Sequence, residues 1–424
     1  GAPEITYYQG DKLSFTVSAE YLSGGAVANG RYESYWYKEP VYFAPPGEQW
    51  QSYRFGPEDL EGRTSLGTDT GMLPPTGEFT VSEETSPEGI EGAAYRYEME
   101  TRVSDVSNQM IADRSSVTVH PADFYIGAKL AEAEDQYWVS FVGKGTAADV
   151  EVALVTPEGK LAAGLLGRAP EGKLDGGLLG RAAEGESAAE GAAPAPATSG
   201  LTAELYHITW KSAQQEGVYG SINTRWEQVL EKVDEQTVSV ENGKGSFTVT
   251  PAKAGPYLIT VSGWDARGRE AVTNLRFYST GADFIRWGGL DSDQIELKPD
   301  RQIYEPGQTA KLMVQSPLKE GRYLVTVERD GIIDKRVITL EGSANLIDVP
   351  IKKSYLPVVY VSVAGYSVRS GEPTHTYFEP DLDKPKGYFG ITALRVDTEA
   401  KNVELKIDTG QDRKSTRLNS SHYS

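Results

Sequence analysis

The chain contains no cysteine. That absence removes disulfides, thiolate zinc sites, cysteine nucleophiles and thioester chemistry from these residues. It leaves the compartment open, because bacterial envelope proteins often lack disulfides. Histidine is scarce, at 4 among 424 residues, so imidazole chemistry has few places to reside. No run of eighteen or more apolar residues occurs, and no segment reads as a membrane-spanning helix. The opening "GAPEITYYQG" lacks an initiating Met, a basic start and an apolar core, so it does not read as a signal peptide. The chain is therefore expected to be an interior fragment of a longer protein. Positive charge is in deficit as well: 42 Lys and Arg face 61 Asp and Glu, a net charge of −19. Such a surface repels nucleic acid and anionic lipid, and neither is expected as a partner.

What is abundant is turn chemistry between short alternating runs. In "DRQIYEPGQTAKLMVQSP", Glu305-Pro306-Gly307-Gln308 puts proline where φ near −65° is wanted and glycine where φ must be positive, a type II turn. Ala310, Leu312 and Val314 then alternate with Lys311, Met313 and Gln315, the period of a half-buried strand. "RYLVTVE" follows, Asp330-Gly331 turns into "IIDKRVITL", and "VVYVSVAGY" continues the meander. The same device stands at the start, where Tyr8 precedes Gly10 and the alternating Leu13, Phe15 and Val17. A second repeat pairs Tyr97 and Asp105 with Tyr257 and Asp265, each aspartate three residues ahead of a turn residue, Asn108 or Gly268. Length alone allows about two to four domains, and these repeats predict tandem copies of one kind of antiparallel β-sandwich, an all-β protein.

The expected boundaries follow. The first sandwich covers 1–121 and the second 122–284, interrupted by a low-complexity insertion at 161–200. The third covers 289–396, and residues 397–411 open a further, truncated unit. The insertion repeats "GLLGRA" and is rich in Gly, Ala, Glu and Pro, too poor in large side chains to bury, so it reads as mostly disordered. One helix is predicted at "TRWEQVLEKVDEQ", where Trp226, Val229, Leu230 and Val233 have helical spacing and Thr224 with Glu227 resembles a capping box. The basic tail 412–424, "DRKSTRLNSSHYS", resembles translated adapter sequence from shotgun DNA and is excluded from the fold.

Nucleophile elbows, phosphate loops and His-Glu-x-x-His pairs are absent, so no catalytic residue and no cofactor is assigned. His120 stands beside Pro121 in an expected linker, His422 is in the tail, and His207 and His375 read as solvent-exposed. Asp291 with Asp293, and Glu379 with Asp381 and Asp383, place carboxylates at alternate positions, as a Ca²⁺ site requires. Neither reproduces the twelve-residue loop with its glycine and terminal glutamate, so both read as solvated loop acids and no metal is assigned. Asp105 and Asp265, recurring in equivalent turns, read as turn-forming side chains. The aromatic run Arg31–Trp50 reads as cross-strand packing, with a sugar-stacking strip as the alternative.

Together these stretches resemble the bacterial alpha-2-macroglobulin family, whose macroglobulin-type sandwiches follow one another like beads. The third unit resembles the family's bait-region-type domain, on the turn Asp300…Tyr304-x-Pro306-Gly307 and the hairpin Glu328-Arg329-x-Gly331. "LYHITWK" with "GSFTVTPAKAGPYLITVSGWDARGR" resembles the domain before it. "YLSGGAVANGRYESYWYKEP" resembles an earlier one, with Ala26 in place of the usual proline of a G-x-P-V-x-G turn. The resemblance implies a protease inhibitor, not an enzyme, of the bacterial envelope, periplasmic or extracellular and lipid-anchored through its N-terminus. Its implied partners are endopeptidases, trapped by bait cleavage and domain rearrangement. The family's Cys–Gln thioester is not encoded in these residues. Arg168, Lys173 and Arg181, with Leu165, Leu166, Leu178 and Leu179, are protease-sensitive candidates, yet the insertion precedes the bait-type domain and reads as a tolerated loop. The competing readings are a surface adhesin or carbohydrate-binding stalk, favoured by an exposed coplanar aromatic strip, and an accessory region of a glycoside hydrolase.

Overall fold

The computed structural model describes residues 6–398 apart from 23, 87, 106, 135–137, 168–199, 217–221, 289–293, 370 and 373–382. Among these the chain is all β, without an α-helix; none of its helices is long and apolar enough to cross a membrane. The first part supplies β1 (Tyr7–Tyr8), β2 (Lys12–Ser18), β3 (Arg31–Val41), β4 (Arg54–Phe55), β5 (Thr64–Met72), β6 (Glu78–Glu84), β7 (Ala94–Ser104) and β8 (Met110–His120). The second supplies β9 (Tyr125–Leu130), β10 (Phe141–Gly143), β11 (Ala148–Val155), β12 (Leu201–Glu216), β13 (Ile222–Val238), β14 (Lys244–Val249), β15 (Gly255–Trp264) and β16 (Glu270–Thr280). The third supplies β17 (Glu296–Pro299), β18 (Ile303–Tyr304), β19 (Thr309–Gln315), β20 (Glu320–Glu328), β21 (Ile332–Glu341), β22 (Ala344–Pro350), β23 (Val358–Tyr366) and β24 (Gly387–Val396).

Each part pairs a five-stranded sheet with a smaller one. The large sheets run β1-β8-β7-β3-β5, β10-β16-β15-β12-β13 and β18-β24-β23-β20-β21. Their smaller partners are β2-β6, β14-β11-β9-β4 and β17-β19-β22. Alternation decides which side chains meet between the layers. Leu13 and Phe15 meet Trp36 and Tyr97 in the first core, Ile126 and Val152 meet Ile259 and Phe277 in the second, and Leu312 meets Tyr323 and Val361 in the third. Each such fully buried side chain contributes about 1.5–3 kcal/mol over an exposed one.

The strand ladders are antiparallel except at one edge of each large sheet, where β1, β10 and β18 lie parallel to β8, β16 and β24; a single parallel bridge also joins Gln294 to Phe389. Directly afterwards the chain crosses to the opposite sheet. A glycine of positive φ makes each crossing possible: Gly10 at 91°, Gly145 at 75° and Gly307 at 100°.

Three expectations are corrected. The predicted helix at 224–236 is strand β13, paired with β12 from Leu201↔Val238 to Glu216↔Ile222. A helix of that length is marginal alone, and a full ladder with β12 outweighs its propensity; Val233 falls at the bulge where the register shifts. Residues 161–167, counted with the insertion, belong to the second sandwich. Ala162 is buried and donates to Leu154 O at 2.8 Å, Gly167 N donates to Trp264 O at 2.7 Å, and Leu165 and Leu166 pack on the core instead of standing free. Finally, β4 comes from within 1–121 yet pairs with β9, inside the second sandwich's sheet.

Candidate functional site: crossover turns and junctions

The third sandwich is built around the Asp300–Gln308 crossover. Tyr304 is buried; its hydroxyl donates to Asp300 Oδ1 at 2.7 Å and accepts from Arg301 N at 3.1 Å. The same carboxylate oxygen accepts from Lys311 N at 2.9 Å, tying the turn to β19. Burial first, and then the Asp300 carboxylate, push the Tyr304 phenol far above its ordinary value, so it stays a neutral donor. Gln308 N closes the Pro306-Gly307 turn on Glu305 O at 3.1 Å, and Gly307 N donates to Ile351 O at 2.8 Å.

In the hairpin after β20, Arg329 N donates to Gly331 O at 3.1 Å and the Arg329 guanidinium reaches Leu356 O at 2.8 Å. The Glu328 carboxylate accepts from the hydroxyls of Thr326 and, at 2.8 Å, Ser362; those bonds hold it below the usual carboxylate range. The hairpin residues make structural contacts within the third sandwich, whereas at the crossover Asp300 O accepts from Val139 N at 3.0 Å and Arg301 lies 4.0 Å over the ring of Trp138 in the second.

Asp105 and Asp265 form one turn twice. Asp105 Oδ1 accepts from Ser107 N at 2.8 Å and Gln109 N at 2.9 Å, and Asp265 Oδ1 from Arg267 N and Arg269 N, both at 2.9 Å. Asn108 at φ 60° and Gly268 at φ 74° fill the left-handed position.

The sandwiches meet at two built junctions. At the first, Trp50, Tyr53 and Phe55 pack against Tyr125, Ala153 and Val155. Trp50 Nε1 donates to Gly159 O at 2.9 Å, Tyr53 Oη to Glu151 at 3.1 Å, and Gly56 N to Thr273 Oγ1 at 3.0 Å. His120 is also buried there, its Nδ1 2.6 Å from Tyr125 Oη and its ring edge-on to Phe43. Burial lowers its pKa to about 4, so it is neutral at pH 7. At the second junction Ile285 and Trp287 of the connecting segment pack on Ala254, Met313 and Ala344. Ser343 fastens that segment: its Oγ accepts from Ile285 N at 2.6 Å, and its carbonyl accepts from Trp287 Nε1 at 2.9 Å.

His207, expected at the surface, is buried at 6% exposure, with Nε2 3.2 Å from Ala254 O. It sits on β12, the central neighbour of β13 and β15, which is why a polar residue type misled the reading. Arg168, Lys173, Arg181, Leu178, Leu179, His375, His422, Asp291, Asp293, Glu379 and Asp381 lie outside the described residues. No group of three or more His, Asp or Glu suited to a metal occurs among the described residues. The aromatic run forms no exposed coplanar strip there: Tyr32 stacks on Phe79 at 4.1 Å, Trp36 is buried against Phe15, and Arg63 covers Tyr37 at 4.1 Å. Two features had weak signals. The second crossover lacks the tyrosine that marks the others, and β4 is only two residues long.

Residues 295–421 match the description of the alpha-2-macroglobulin bait region domain, a span that takes in the expected fourth unit and most of the basic tail. An alpha-2-macroglobulin homolog of Nostoc is 24% identical over 408 residues, covering 95% of this chain and 19% of that protein. Alpha-2-macroglobulin of Escherichia coli is 25% identical over 228 residues, covering 50% and 12% respectively. Among solved structures, the native conformation of E. coli alpha-2-macroglobulin is 18% identical, with a TM-score of 0.44, over 94% of this chain and 23% of that one. The chain spans about a fifth or less of the length of these curated relatives.

Proposed function

From this kinship with the alpha-2-macroglobulin family, we propose that the chain is part of a bacterial inhibitor of endopeptidases and has no catalytic role of its own. The bait region domain match over 295–421 carries the reading. The physical requirement is a set of stiff bodies joined at places that can give way when a peptide bond is cut. Separate packed cores supply the bodies, and the second junction, where Ile285 and Trp287 pack, is the place to give. The parent protein would act in the periplasm or outside the cell, where it meets foreign endopeptidases. We take the insertion that holds Arg168, Lys173 and Arg181 as a tolerated loop.

The test is limited proteolysis of the parent protein with trypsin and elastase, followed by small-angle scattering and by assay of the protease on a large substrate. Inhibition with a change in shape is the expected result. A protease that keeps full activity on large substrates would overturn the inhibitor reading. A change in shape after cleavage confined to 161–200 would make that segment the bait. An adhesin reading has no exposed aromatic strip among the described residues to support it.

A further inference from the structure

The second junction carries a pocket of about 430 Å³ whose walls come from three places. Strand β12 gives His207 and Trp210, the turns before β11 and β15 give Lys144 and Lys253, and the connecting segment gives Phe284 and Arg286. Its size falls within the ~300–1,000 Å³ of small-ligand sites.

The charges there do not cancel. Asp283 uses both oxygens, Oδ1 accepting from Lys144 Nζ at 2.7 Å and Oδ2 from Ala254 N at 2.8 Å. Glu231 Oε2 accepts from Lys253 Nζ at 3.4 Å. Arg286 is exposed and, among the described residues, has no ion pair and no hydrogen bond. Three lining cations thus face two carboxylates, a local positive excess in a chain whose net charge is −19. An apolar wall stands beside them. Phe284 is 45% exposed, with Lys319 of the third sandwich 5.6 Å from its ring, and the Trp210 ring lies 6.1 Å from that of Trp287. His207 completes the lining as a half-satisfied polar group. Its Nε2 is 3.2 Å from Ala254 O, yet its buried Nδ1 has no hydrogen-bond partner, and Glu231 Oε2 is 4.0 Å away. Buried polar atoms are rarely left so.

We propose that this pocket binds a large apolar residue ending in a free carboxylate, as at the C-terminus of a peptide. The Arg286 guanidinium takes the carboxylate in a two-pronged pair, and Lys253 adds its charge. Trp210 and Phe284 cover the apolar side chain. A second acid would meet Asp283 and Glu231 instead of a free cation, so the site selects a single negative charge. The bound residue ties the connecting segment to the second sandwich. Endopeptidases that cut after large apolar residues create such ends, so on the inhibitor reading above the pocket senses cleavage; the binding itself does not rest on that reading.

Isothermal titration of the whole chain at low ionic strength tests the site with acetyl-Ala-Ala-Leu, its C-terminal amide and N-acetylleucine. The acid peptide is expected to bind about tenfold more tightly than the amide, and Arg286→Gln to abolish that advantage. Lys253→Gln should weaken the acid peptide by a smaller factor, about threefold. Both side chains face solvent, and unchanged thermal unfolding shows that each variant is folded. N-acetylleucine binding as tightly as the peptide supports the site with free acids as the source, whereas tighter binding of the peptide makes the source a chain end. Equal affinity for acid and amide overturns the proposal. So does absence of binding by all three compounds, or an acid-peptide affinity that Arg286→Gln leaves unchanged. Binding by the chain together with a parent protein that inhibits no protease upholds the pocket and removes only the inhibitor reading.

Discussion

Asp105 and Asp265 make the same turn at the same place in two sandwiches, but only one of them works at a junction. Asp105 is half-buried, and its carboxylate bonds within its own loop. Asp265 is fully buried: its second oxygen accepts from Arg269 Nε at 2.8 Å and from Asp123 N at 3.0 Å, and Arg269 also pairs with Asp123 and lies 4.6 Å over the ring of Tyr8. A residue that shapes a loop in one copy therefore also holds, in the other, the linker after β8 and the arginine that covers Tyr8. Local sequence encodes the turn, and the neighbouring sandwich supplies the difference in energy.

Substitution should expose that difference. Asp265→Ala removes a buried carboxylate that accepts four hydrogen bonds and leaves Arg269 only Asp123 as an acidic partner, and is expected to cost about 2–3 kcal/mol in urea unfolding. Asp105→Ala should cost only about 0.5–1.5 kcal/mol, the usual worth of a hydrogen bond. Equal losses would mean that the junction contacts of Asp265 contribute nothing.

Acid offers an effect of similar size. His120 has a folded pKa of about 4 against 6.5 in the reference state, so below pH 6.5 the unfolded chain takes up a proton that the folded chain refuses. Stability attributable to this residue is full above 6.5 and falls as pH drops toward 4, by about 3 kcal/mol in total. Thermal unfolding of the chain and of His120→Gln between pH 7 and 4 should show a shallower decline for the variant. Parallel curves would exclude the imidazole as the cause.

Smaller still is Tyr304→Phe, expected to lose about 0.5–1.5 kcal/mol through the Asp300 bond while the sheets persist. The finest test alters the left-handed residue of each turn. Asn108→Gly should change stability by a few tenths of a kcal/mol, because both residue types tolerate positive φ, whereas Gly268→Val should cost more than about 1 kcal/mol. Urea midpoints read both.

Much of the fold was legible because strand alternation and turn residues act locally. Leu312 and Val314, or Leu13 and Phe15, announce their buried faces without help from distant residues. What was illegible depended on partners far along the chain. The 224–236 segment has helical spacing, but β12 decides its state. Arg54 and Phe55 carry no strand signal and are held by β9, more than seventy positions away. His207 is buried because strands on both sides flank β12, not because of anything adjacent to it in sequence. At the candidate site, Tyr304, Pro306 and Gly307 were readable as a turn, while the Trp50 and Trp287 anchors were not, since aromatic residues look alike in a core and at a junction.

The long outer strand β13 carries a consequence of a different kind. Among the described residues its outer margin has no strand beside it, and such a margin of seventeen residues invites a stranger's backbone to continue the ladder, the route by which fibrils begin. Glu227, Glu231, Lys232, Asp234 and Glu235 all face solvent along it, and the kink at Val233 spoils its flatness. Four of these five side chains are acidic, so crowded copies would meet mostly like charge along this margin.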